Sequence, residues 1–171
     1  MRLGPTIIIH AALALSLTGC SKVDKADNPP LLGQWQIEGQ LISASLDGRA
    51  LDEAEGKVLG LKRLNHSPEA LGCMEPDLSR AETVLSTLPD KFKNECEMSG
   101  YDGSPEQFSA TIKCQPKAPI KDASILIDGQ AAADNASIRN AISIGIEESP
   151  GSTSRIEIVQ RIKWTRLGDC S

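Results

Sequence analysis

The chain has 171 residues, 40% of them hydrophobic, 24% charged and only 3% aromatic, with a formal net charge of −5 and a pI near 5.1. These figures fit one soluble domain and argue against a polytopic membrane protein or a disordered tail. They also argue against a nucleic-acid binder, because an acidic chain repels phosphate.

Residues 1–19 read as a bacterial export signal. Arg2 is the one basic residue ahead of an apolar core at residues 7–17. Crossing ~30 Å of hydrocarbon takes about 20 residues, so the shorter core suits a signal peptide and not a membrane span. The core closes on Leu17-Thr18-Gly19-Cys20. This resembles the lipobox of bacterial lipoproteins, in which small residues admit the peptidase and the Cys20 thiol accepts a diacylglycerol group. The resemblance implies a membrane partner reached through the N-terminal lipid, since two or more acyl chains anchor stably where one does not. Ser21, in place of Asp, implies by resemblance to lipoprotein sorting the outer membrane, facing the periplasm, over retention at the inner one. Residues 20–32 form the lipidated Cys and a polar tether closed by Pro29-Pro30, and residues 33–171 form a single β-rich domain.

Within that domain, period-two alternation predicts strands. Trp35, Ile37 and Leu41 alternate with Gln34, Gln36, Glu38 and Gln40. Residues 57–64 are a weaker strand candidate. Residues 79–88 differ: Ala81, Val84, Leu85 and Leu88 have helical spacing, with Ser79 and Glu82 as a capping box and Pro89 as the stop. Strands at 94–101 and 107–115 flank the turn-rich Asp102-Gly103-Ser104-Pro105-Glu106. Ile125 and Ile127 flank Leu126, and Ile138, Ile142, Ile144 and Ile146 alternate with Arg139, Ser143, Gly145 and Glu147. Ile156, Ile158, Ile162 and Trp164 alternate with Arg155, Glu157, Arg161 and Lys163. Asp47-Gly48, Asp128-Gly129, Asp134-Asn135 and Ser149-Pro150-Gly151 read as hairpin turns. The expected fold is mainly β: an antiparallel curved sheet or open barrel with one short helix and two disulfides.

Apart from Cys20, four cysteines remain: Cys73, Cys96, Cys114 and Cys170. An even count in an exported domain reads as disulfides. Zinc is the competing reading, but the spacings are wide and His66 is the one histidine outside the signal. If Asp102 lies opposite Phe108 in the hairpin, the same register sets Cys96 opposite Cys114, which leaves Cys73 for Cys170.

Gly33-Gln34-Trp35-Gln36-Ile37, Gly72-Cys73-Met74-Glu75-Pro76, the order of Cys96 and Cys114, and Arg166-Leu167-Gly168-Asp169-Cys170 together resemble the bacterial domain-of-unknown-function family 3617. The resemblance covers roughly residues 33–170, with Met-Glu replacing a Leu-Thr pair of the family. It implies an exported, disulfide-bonded protein and carries over no catalytic residue.

Catalytic constellations are absent from the sequence. His66, in Asn65-His66-Ser67-Pro68, reads as a solvent-facing loop residue, and no Gly-x-Ser-x-Gly elbow exists. Asp52, Glu53 and Glu55, and the pair Glu147-Glu148, read as solvated carboxylates. The acidic stretch 47–55 lacks the order of a calcium loop. Neither a metal nor another cofactor is implied. Trp35 and Trp164 fall on apolar strand faces and read as core.

Arg155, Arg161 and Lys163 share one face of the last strand, with Arg139 nearby. This stripe is a candidate partner-binding surface or, read more plainly, a charged face that discourages aggregation. The expected function is a non-enzymatic cell-envelope lipoprotein acting by surface contact with an envelope protein, peptidoglycan or lipopolysaccharide. The alternative is a carrier or sensor of a small hydrophobic ligand held inside the curved sheet.

Overall fold

The computed structural model describes residues 28–77, 95–104 and 106–170. The export signal, Cys20, the first part of the tether and the helix expected at 79–88 lie outside the described residues.

The described chain forms β1 (Gly33–Leu46), β2 (Arg49–Ala50), α1 (Glu53–Val58), a 3₁₀ turn (Leu61–Leu64), β3 (His66–Met74), β4 (Cys96–Gly103), β5 (Gln107–Cys114), β6 (Ile120–Ala132), β7 (Asn135–Ser149) and β8 (Ser152–Gly168). The eight strands make one open antiparallel sheet in the order β2-β1-β8-β7-β6-β5-β4, with β3 also paired to β1. Short connections favour antiparallel neighbours, which is why β5 to β8 follow one another in space as in sequence.

Alternation decides which face is buried. Ile156, Ile158 and Gln160 of β8 are buried, and Arg155, Glu157 and Arg161 on the opposite face are exposed. The inner face carries two apolar clusters. One gathers Phe108, Ala110, Ile112, Ile127, Ala136 and Ile138, with Trp164 packed against it. The other gathers Leu61, Ile156 and Ile158, with Leu51, ahead of α1, and Leu64 of the 3₁₀ turn packed on it. Fully burying a side chain such as Ile112 contributes about 1.5–3 kcal/mol. Trp35 is fully buried as its alternation predicts, and its Nε1 donates to the Leu31 carbonyl.

Both expected disulfides are present. Cys96–Cys114 staples the β4–β5 hairpin, and Cys73–Cys170 ties the chain end to β3 across a sequence separation of 97. On a loop-entropy estimate the second stabilises more, by about 4–5 kcal/mol against about 3. The register is correct at the cysteines and shifted by one at the turn. Asp102 faces Ser109 and not Phe108, because a bulge between Met98 and Gly100 inserts a residue.

Four other expectations are corrected. Residues 57–64 are not a strand: they form the end of α1 and the 3₁₀ turn. His66 is not in a loop but opens β3, half-buried opposite Gly39. Asp128-Gly129 is not a turn: β6 runs through it, and the chain reverses at Ala133-Asp134. The folded domain also takes in residues 28–32, which composition assigns to the tether. Pro30 is fully buried, Asn28 donates to Glu75 and to the Pro76 carbonyl, and Leu31 donates its N–H to Ala133.

Candidate functional site

The outward face of the sheet is a ladder of cross-strand rows, each a short line of side chains about 4.8 Å apart. One row reads Asp102 (β4), Ser109 (β5), Asp128 (β6), Arg139 (β7), Arg161 (β8), Gln40 (β1). The next reads Gln107, Gln130, Ser137, Lys163, Glu38. Between these rows lies an open groove of about 630 Å³, lined by Asp102, Gln107, Ser109, Asp128, Gln130, Ser137, Arg139 and Arg161 among others. A smaller groove of about 340 Å³ adjoins it over Thr111, Leu126, Ala141 and Val159. Thus the apolar strip formed by Leu126, Ala141 and Val159 runs directly beside the charged row, and Leu126 is 42% exposed.

The groove has a glycine at its floor. Gly129 lies opposite Phe108, and a Cβ there would sit 2.0 Å from Phe108 Cε1. The ring therefore occupies the space beside the bare backbone on the inner side. Glycine inside a strand often marks such a close approach. This aromatic contact makes the first apolar cluster the foundation of the groove.

Charge in the groove is divided by strand. Carboxylates stand on β4 and β6, guanidinium groups on β7 and β8. Asp128 and Arg139 form an exposed ion pair at 3.5 Å. Arg139 and Arg161 are directly opposed, and like charges in that position repel. Among the described residues no carboxylate pairs with Arg161 or Lys163, and no cation pairs with Asp102.

The three residues of the expected stripe are thus separated. Arg161 faces the groove, and Lys163 lies in its adjoining row opposite Ser137 and Glu38. Arg155 is distant from both and engaged. Its guanidinium donates to Asp122 at 3.2 Å and to Ser143 at 2.8 Å. The ion pair spans an intervening strand because Gly145 stands between its partners, and the Asp122 carboxylate occupies the space a Cβ would take, at 2.8 Å. Arg139, expected near the stripe, stands directly opposite Arg161.

The remaining candidates have structural roles. Asp52 and Glu55 cap α1 reciprocally. Arg49 donates to both Glu55 oxygens, and the guanidinium holds the carboxyl down to about 2. The Asp47 carboxylate accepts from the Arg155 backbone N–H. Glu148 accepts from Ser154. His66 packs over Gly39, where a Cβ would meet its ring at 2.4 Å, and its Nδ1 is buried without a partner. Asn140 Oδ1 and Trp164 Nε1 share that condition. Among the described residues no three His, Cys, Asp or Glu side chains are grouped to hold a metal, and no helix is long and apolar enough to cross a membrane.

No family model matches the chain, and no curated protein or solved structure is similar to it.

Proposed function

We propose that the protein is a lipid-anchored envelope protein that acts by non-covalent contact through the outward face of its sheet. The anchor rests on the Leu17-Thr18-Gly19-Cys20 motif behind an apolar core, and the outer-membrane, periplasm-facing placement on Ser21. The family 3617 resemblance, carried by the Gly33–Ile37 and Arg166–Cys170 motifs, fits an exported protein. The observation that carries the contact reading is Arg161: an arginine facing a groove, opposed by another arginine and, among the described residues, paired with no carboxylate. A solvated face made only to resist aggregation gains nothing from opposing two like charges.

Two measurements test this reading. Metabolic labelling with a palmitate analogue should mark the full chain and place it in the outer-membrane fraction, and Cys20→Ala should lose both label and membrane. Photo-crosslinking in cells should give discrete products that Arg161→Glu removes and Arg155→Glu retains. Equal loss in both variants would mean that the groove is not the contact site. The hydrophobic-carrier reading gains no support from the grooves, which lie on the outward face.

A further inference from the structure

From the division of charge in the groove we infer that its ligand is a short peptide with free termini, bound with its ammonium end toward β4 and its carboxylate end toward β8. This rests on the surface-contact reading above and names its ligand class.

The groove is not simply cationic. Along one row the order is Asp102, Ser109, Asp128, Arg139, Arg161. The two central charges, Asp128 and Arg139, satisfy each other at 3.5 Å. The outer two, Asp102 and Arg161, pair with no residue among those described and are opposite in sign. An anion alone would meet Arg161 and leave Asp102 idle. A cation alone would do the reverse. A ligand carrying both charges at opposite ends answers both groups.

Spacing sets the length of that ligand. Asp102 and Arg161 are four strand spacings apart, roughly 19 Å on a flat sheet, which is about five residues of extended chain. The volume of about 630 Å³ falls within the usual range for small-ligand sites. Gln107 and Gln130 in the adjoining row carry side-chain amides, which both donate to and accept from peptide bonds. A peptide lying across the strands would meet them between its ends. The net charge of −5 offers no general attraction to anions, so recognition of the carboxylate depends on Arg161 and its neighbour.

The test is titration of the full chain, in detergent and at low salt, with pentaalanine and its N-acetylated and C-amidated forms, followed by NMR. Free pentaalanine should bind, and each cap should weaken binding about 1.5- to fivefold, the range of an exposed charge pair. Asp102→Asn should abolish the penalty of acetylation and leave that of amidation. Arg161→Gln should do the opposite, and Arg155→Gln should change neither. Absence of binding at millimolar peptide, or cap penalties that persist in both variants, would overturn the inference. If peptide fails while Arg161→Glu still removes the crosslinks in cells, the ligand class falls and the contact reading stands. If peptide binds but no crosslink depends on Arg161, the groove is a peptide site and the contact reading falls.

Discussion

The two ends of the outward face use the same strand, the same alternation and the same residue type to opposite effect. Arg155 and Arg161 both project from β8, and each has a carboxylate on β6 in its own row, Asp122 and Asp128. What differs is the residue on β7 between them. At Arg155 it is Gly145, so Asp122 leans over the gap and the pair closes at 3.2 Å. At Arg161 it is Arg139, which takes Asp128 for itself. One missing side chain completes the first site, and one extra cation leaves the second open. Whether a surface arginine is available for binding is therefore decided by its partner on the neighbouring strand.

The largest expected effect comes from filling the two glycines. Gly129→Ala puts a methyl group into the Phe108 ring, which is packed in the core and has little room to yield. The expected loss is about 1–3 kcal/mol, typical of overpacking, read by chemical denaturation, together with altered chemical shifts along the groove. Gly145→Ala meets only the end of an exposed Asp122 side chain, which can swing away. It should cost less, and the Arg155–Asp122 contact should be lost. Equal destabilisation by both would show that the ring does not support the groove.

Much of this arrangement was legible in sequence. Ile156 to Trp164 announce a strand with one buried face, and the hairpin at 94–115 pairs its cysteines. The row partners were harder to read because bulges break the counting. The β7–β8 turn closes with Ser149 opposite Ser152, and counting back from it would set Arg161 against Asn140. The irregularity at Glu148 moves the register by one and brings Arg139 there instead. β3 was missed because His66–Met74 is exposed along most of its length and contains Pro68 and Gly72, so no alternation marks it. At 57–64, Val58, Leu59, Leu61 and Leu64 fit neither period cleanly. The readable signal lay upstream, in the spacing of Asp52 and Glu55 as a capping box.

A smaller effect should separate the two arginines by sign. Arg155→Gln removes an exposed ion pair, with 44% and 49% of the two side chains accessible, and should lower stability by about 0.2–1 kcal/mol. Arg161→Gln removes repulsion from Arg139 and breaks no pair among the described residues. It should leave stability unchanged or raise it by a few tenths of a kcal/mol, about the lower end of a cross-strand pair. Parallel thermal melts at low salt give the comparison, and destabilisation by Arg161→Gln would mean that Arg161 has a structural partner after all. High salt should shrink the difference, because it screens exposed charges.

The smallest effect lies over the engaged half, where Leu51 and the 3₁₀ turn, on either side of α1, pack on the second cluster. Glu55 accepts two hydrogen bonds from Arg49 and one from the Asp52 backbone, and these hold its carboxyl at about 2, below the ordinary 4.5. A depressed carboxyl stabilises the fold above its unfolded value and loses that contribution as pH falls through the folded one. The cap should therefore be intact above about pH 4.5 and weaken progressively toward pH 2. Because Glu55 and Arg49 lie at the surface, the change should appear as fraying of α1 and not as global unfolding. Amide shifts of Glu55 and Lys57, followed by NMR between pH 5 and about 2, read it directly. Arg49→Gln should raise the Glu55 midpoint toward the ordinary range, since the guanidinium is the largest cause of the shift. A midpoint near 4.5 in the unaltered protein would mean that the Arg49 contact does not hold in solution, and the engaged half would then depend on Arg155 and Asp122 alone.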